Sequence, residues 1–263
     1  LFAIALVIPV GLMIYNWIAT LWGGTLHARA APLFAIGAIS ALTIGLAVEL
    51  ACSVIAVGWQ LDNTTAAQAA TVAVFVGGMV LGGFAALHHW LPKLTGRMMG
   101  EGLGKASLAT ILIGLYVYEL MAFFAGVKGQ PVDIYKFFGD AGVDGFNLVA
   151  SIASFVVAIG IFLELGNVAY SYRNGIRVGH DPWGGATLEW FAPSPPPEHN
   201  FDAVPDVRSA EPLHDIRRAI RERAESWRPP PAPEAPIPAE EPQPVEAGGD
   251  GAAEDPDGGP SVA

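Results

Sequence analysis

The sequence predicts an all-α membrane protein: a polytopic bundle of five transmembrane helices followed by a disordered, Pro-rich tail. Two observations carry that expectation. Hydrophobic residues make up 52% of the 263 residues, charged residues only 15%, and the mean hydropathy is +0.42, a balance suited to lipid rather than water. Apolar runs of about 20 residues, enough to cross a hydrocarbon core of about 30 Å, recur along the chain.

The runs cover residues 2–22, 33–58, 66–91, 106–127 and 146–170. Pro9 sits inside the first, which a helix in lipid tolerates when its neighbours satisfy the freed backbone groups. Gly77, Gly78, Gly82 and Gly83 form a row of small residues in the third. Such rows let helix backbones approach closely, so packing is their expected role.

Basic residues set the expected orientation. Arg29 follows the first run, Lys93, Arg97 and Lys105 follow the third, and Arg173 and Arg177 follow the fifth. The other loops carry no Lys or Arg between Trp59 and Gln68, and only Lys128 and Lys136, offset by Asp133, Asp140 and Asp144. The positive-inside rule then places Leu1 outside the cell and the tail in the cytoplasm.

Four regions follow. Residues 1–172 form the bundle, and 173–201, rich in Trp, Gly and Pro, reads as an extended segment on its cytoplasmic face. Residues 202–228 link to the tail through a short charged helix, in which Ile216 and Ile220 recur at helical spacing among alternating Arg and Glu. The stretch 229–263 is dominated by Pro, Glu, Ala, Gly and Asp; it cannot bury a core and is expected to be disordered. The net charge of −11 and the isoelectric point near 4.9 belong mostly to residues after Phe201, not to a binding face. Cys52 is the single cysteine, which excludes an intrachain disulfide and any Cys-based metal spacing. The chain opens at Leu1 inside an apolar run with no basic region before it, unlike a signal peptide, and reads as the C-terminal piece of a longer protein.

Several motifs carry more. Asp181-Pro-Trp-Gly-Gly-Ala-Thr-Leu-Glu-Trp190 is followed by Pro193-Ser-Pro-Pro-Pro-Glu-His-Asn-Phe201. Upstream stand Ile8-Pro-Val-Gly, Asn16-Trp-Ile-Ala-Thr-Leu-Trp-Gly-Gly24, Trp59-Gln-Leu61 and Trp90-Leu-Pro-Lys-Leu-Thr-Gly-Arg97. In this order they resemble the C-terminal part of subunit I of the haem-copper terminal oxidases of the cytochrome c oxidase type. The resemblance covers residues 1 to about 201 and implies that the five runs are the family's eighth to twelfth helices. It also implies a respiratory complex with haem and copper, other membrane subunits, and a location in a bacterial plasma membrane.

The same resemblance shows where the family's chemistry is missing. After its Trp-Gln-Leu-like stretch the family has His-Asp-Thr, and soon afterwards the His-Phe-His that ligates both haem irons. Here Asp62-Asn63-Thr64 and Ala70-Thr71-Val72 stand in those places, and none of the latter three offers the nitrogen or sulfur donor that an axial haem ligand needs. The family's Met-Pro-Arg-Arg, whose guanidinium groups pair with haem propionates, becomes Gln130-Pro131-Val132-Asp133. An acid there repels a carboxylate. The Thr and Lys of the family's proton path fall on Val10 and Met13, which cannot relay a proton.

Other polar residues do not restore a site. His88 and His89 end the third run and are expected at the membrane interface, not on a metal. His27, His180, His199 and His214 lie in loops or tail without paired metal spacing. Glu49, Glu119 and Glu164 each fall inside or near the middle of an apolar run, where an acid costs roughly 2.5 to 3.5 kcal/mol on insertion scales and faces a bundle interior or a partner. Hydrogen bonding between helices is the expected role, ahead of proton transport. No catalytic, cofactor-binding or metal-ligating residue is therefore assigned. Two readings follow: a subunit-I-like component of a terminal oxidase complex, or a non-catalytic membrane scaffold or assembly subunit derived from that family. Nucleic-acid binding and soluble hydrolase chemistry lack any motif.

Overall fold

The computed structural model describes residues 2–134, 136–201 and 205–226; the expected disorder of 229–263 lies outside them. Within these residues the chain is helical. The elements are α1 (Phe2–Leu21), α2 (Ala30–Cys52), α3 (Ile55–Leu61), α4 (Thr65–Val74), a π-helical turn (Phe75–Leu81), α5 (Gly82–Thr95), α6 (Glu101–Val127), α7 (Asp144–Asn174) and α8 (Pro212–Ser226).

Four stretches are long and apolar enough to cross a membrane: Ala30–Cys52, Thr65–Thr95, Glu101–Val127 and Asp144–Asn174. The second is continuous from α4 through the π turn to α5. Helix α1 is apolar as well and carries Pro9 within it.

Two boundaries differ from the sequence expectation, each for a local reason. The second apolar run breaks at Ser53 and Val54, where Val54 turns to an extended conformation and α3 begins as a separate seven-residue helix. Hydropathy cannot see this break, because Val54, Ile55 and Val57 are as apolar as the helix before them. The fourth run begins earlier than its apolar part, at Glu101. There the Glu101 carboxylate accepts a hydrogen bond from the Ala30 amide at 2.8 Å, which satisfies an otherwise orphaned donor at the N-terminus of α2 and places negative charge at the positive end of its dipole.

Small residues hold the helices together. A Cβ added to Gly77 would lie 2.5 Å from Ala41 Cβ, and one at Gly45 would lie 2.8 Å from Ala73 Cβ, so α2 meets α4 and the π turn backbone to backbone. Helices α6 and α7 repeat the device. A Cβ at Gly114 would come within 2.8 Å of the Val157 nitrogen, and one at Gly160 within 2.6 Å of Ile111 Cγ1. Ser107 seals the same seam by donating to the Gly160 carbonyl at 2.9 Å. Gly82 and Gly83, expected to pack, have open space where a Cβ would stand. Between the seams, Phe34, Leu81, Phe84, Ile111 and Leu115 form the buried core. Attraction between such surfaces in lipid comes from van der Waals contact and hydrogen bonds, since lipid tails are as apolar as the helices.

Candidate functional site

Three clusters of polar or cavity-lining residues stand out. The first flanks α4, which carries Ala70, Thr71 and Val72. Ala66, Ala69, Ala70 and Ala73 recur at helical spacing and are buried. They floor a cavity of about 420 Å³. Ile44 and Val48 of α2 wall it on one side, Tyr116, Glu119 and Phe123 of α6 on the other. Val72 lines a separate cavity of about 230 Å³ with Leu115, Tyr118 and Ser154. Ala70 and Val72 thus serve two cavities, and no imidazole, thiol or thioether lines either one.

At the α4 N-terminus two loops meet, one through Asn63 to Thr65 and the other through Gln130 to Val132. The Thr65 amide donates to the Gln130 carbonyl at 3.0 Å, and the Val132 amide donates to the Asn63 carbonyl at 2.9 Å. The Thr64 hydroxyl caps α4 by accepting from the Ala66 amide at 3.3 Å. Asn63 and Asp133 both adopt positive φ, 59° and 63°, a conformation these residue types tolerate better than most. Asp62 and Asp133 are exposed.

The second cluster is a buried polar chain at the end of α5. His88 Nε2 lies 2.8 Å from Glu164 Oε1, with both side chains almost fully buried. Glu164, Asn167 and Ser171 follow one another at i, i+3 and i+7, one face of α7. Asn167 Nδ2 donates to Glu164 Oε1 at 3.3 Å and to the Gly100 carbonyl at 3.0 Å. The Gly100 amide in turn donates to Asn167 Oδ1 at 3.1 Å. The His88 ring stacks on Phe34 at 5.4 Å, and Gly104 leaves room for it, since a Cβ there would stand 2.6 Å from the imidazole. His88 is therefore buried between helices at this end of the bundle, where the sequence pattern gave no sign of a partner. The missing signal was long-range: the partner lies 76 residues away, although the i, i+3, i+7 polar face of α7 marked its half of the pair.

The third cluster belongs to 175–217. The Trp183 indole donates to the His89 carbonyl at 2.9 Å and its ring stacks on His89 at 5.7 Å, while Trp190 stacks on Trp90 at 5.5 Å. Lys93, 5% exposed, donates to the carbonyls of His180 and Ala192, and Arg29 lies 5.3 Å over Trp183. Asp181 accepts from the Gly185 amide at 2.9 Å and pairs with Arg217 of α8. The Arg97 guanidinium donates to the Gly175 carbonyl at 2.9 Å. These contacts lay the Asp-Pro-Trp-Gly-Gly motif on the end of α5.

Among the acids, Glu119 and Glu164 are buried, and one oxygen of each lacks a partner. Glu49 is exposed in the last turn of α2, because the helix ends at Cys52 and not at Gly58. His27, His180, His199 and His214 are exposed. Among the described residues, no three His, Cys, Asp or Glu side chains gather in a metal-binding group.

The long apolar helices and their small-residue seams define a multi-pass membrane protein. Residues 1–156 match the family model described as Cytochrome C and Quinol oxidase polypeptide I. The chain is 36% identical over 210 residues to cytochrome c oxidase subunit 1 of Bacillus subtilis, covering 80% of this chain and 34% of that protein. It is 36% identical over 217 residues to the same subunit of Alkalihalophilus pseudofirmus (81% and 35%). With that of Thermostichus vulcanus it shares 35% identity over 211 residues (80% and 38%). The chain belongs to the family of cytochrome c and quinol oxidase polypeptide I. It spans about a third of the length of these relatives.

Proposed function

We propose that the chain is a subunit-I-like component of a respiratory terminal oxidase complex in a bacterial plasma membrane, and that this part of it supplies helical framework and no haem-iron ligand. Family membership supports the first half. The second rests on one observation: the two cavities beside α4 meet Ala70 and Val72 where an axial imidazole is needed, and no other imidazole reaches them. The one buried histidine among the described residues, His88, is held by Glu164. The residues present do not suit a haem, so no redox or proton step is assigned to them.

Orientation follows the same reading. Arg29, Lys93 and Arg97 gather around the 175–217 segment, which supports a cytoplasmic location for that end. The regions 1–172, 173–201, 202–228 and 229–263 are proposed as bundle, docked segment, linker and tail.

An assembly or scaffold subunit is the second reading, favoured by the commitment of His88 to Glu164. Purification of a tagged chain in mild detergent separates the two. A haem-bearing membrane partner favours the oxidase component, and a haem-free partner favours the scaffold. A stable chain recovered alone would refute both.

A further inference from the structure

The groove floored by Ala66, Ala69, Ala70 and Ala73 contains one unexplained group. Glu119 is 9% exposed, lines this groove, and its Oε1 has no hydrogen-bond partner. Tyr116 is the one other lining residue with a polar side-chain atom, and its hydroxyl is already bonded to Ser40 Oγ at 2.6 Å. A buried carboxyl oxygen without a partner is costly, more so in lipid than in water. Whatever fills the groove is therefore expected to bring a hydrogen-bond donor to Oε1 and apolar surface everywhere else.

Size decides what kind of occupant that is. The groove holds about 420 Å³, within the usual range for small-molecule sites. A helix about 10 Å across fills roughly 400 Å³ in every 5.4 Å turn, so the groove has room for about one turn of a spanning helix. Its walls also stand close together: Gly45 brings α2 onto Ala73, and Gly126 brings α6 onto Ala66, where an added Cβ would lie 2.3 Å from the Ala66 nitrogen. The rim residues Ile44 and Leu120 are 45% and 51% exposed, so the groove has an open side between α2 and α6.

We propose that this groove is a binding site for a bilayer-dissolved amphiphile with an uncharged apolar body and a single hydroxyl, which donates to Glu119 Oε1. The proposal rests on the reading that Ala70 leaves the groove without a ligated haem. The alanine floor, in the place of an imidazole, gives the apolar body its depth.

The test uses the full chain purified in mild detergent with its accompanying subunits, and hexadecanol carrying a mid-chain diazirine as the probe. On illumination, crosslinks are expected on peptides of α4 and α6. Unlabelled hexadecanol competes, whereas hexadecane, which lacks the donor, does not at the same concentration. Glu119→Leu lowers labelling about five-fold or more, the loss expected for one hydrogen bond; Glu119→Gln, which keeps a carbonyl acceptor, retains it. Ala70→Leu, which fills the floor, lowers labelling without touching the carboxyl. Equal competition by hexadecane, or undiminished labelling of either Glu119→Leu or Ala70→Leu, overturns the proposal. The difference in Soret absorbance between the parent and Ala70→Leu preparations, which reports haem in the groove and not in the accompanying subunits, separates two failures. Haem held in the groove would refute the ligand-free reading itself, while absence of both haem and labelling would refute only the amphiphile.

Discussion

Replacing both partners of the His88–Glu164 pair is expected to cost less than the two single replacements added together. With His88→Phe, the ring contact with Phe34 at 5.4 Å can be kept, but Glu164 loses its 2.8 Å partner while one of its oxygens already has none. In soluble proteins, stripping one member of a buried pair costs about 3–5 kcal/mol, and replacing both by apolar residues is often neutral. In membranes the coupling is smaller, about 0.6 kcal/mol on average and about 1.7 at most, because the unfolded helices find other partners. Full burial at both ends places this pair near the upper membrane value. His88→Phe is therefore expected to cost about 1.5 kcal/mol, Glu164→Leu about 1, and the double variant about 1, giving a coupling of about 1.5 kcal/mol. Reversible unfolding in SDS from mixed micelles, followed by tryptophan fluorescence, measures all three. Additive single losses, with coupling below about 0.3 kcal/mol, would show that the contact contributes nothing.

In a Cys52→Ala background, cysteines at Thr65 and Ser194 should react with an impermeant maleimide from opposite sides of sealed vesicles; labelling of both from one side would reject the proposed topology. Gly114→Leu should separate α6 from α7 and lower stability by about 1–3 kcal/mol, because even a Cβ there meets the Val157 nitrogen at 2.8 Å; an unchanged SDS midpoint would contradict this packing. Lys93→Ala removes the donor shared by the His180 and Ala192 carbonyls, so limited proteolysis between 180 and 201 should speed up several-fold. An unchanged rate would mean that the tryptophan stacking alone holds the segment.

The spans were legible because lipid imposes length and hydropathy on any helix that crosses it. The ends were less so. Val54 and Ile55 are apolar yet leave the helix, and Glu101 and Lys105 are charged yet belong to one, as an i, i+4 pair at 4.0 Å. Burial was the hardest to read, since it depends on which faces meet. Glu49, apparently deep, is exposed at a helix end, and His88 is buried against a partner on another helix. Helical spacing alone could have placed Glu164, Asn167 and Ser171 on one face, but nothing local ties that face to α5. At α4 the alanine row is plain in the sequence. That it floors a groove holding an unpartnered Glu119 oxygen depends on where α2 and α6 stand.

Haem content tests the central claim most directly. The tagged chain, separated from other subunits in mild detergent, is expected to show no Soret band and no pyridine haemochrome in stoichiometric amount. Replacing His88 or His89 should leave that spectrum unchanged. A stoichiometric haem spectrum that disappears on replacing either histidine would contradict the account.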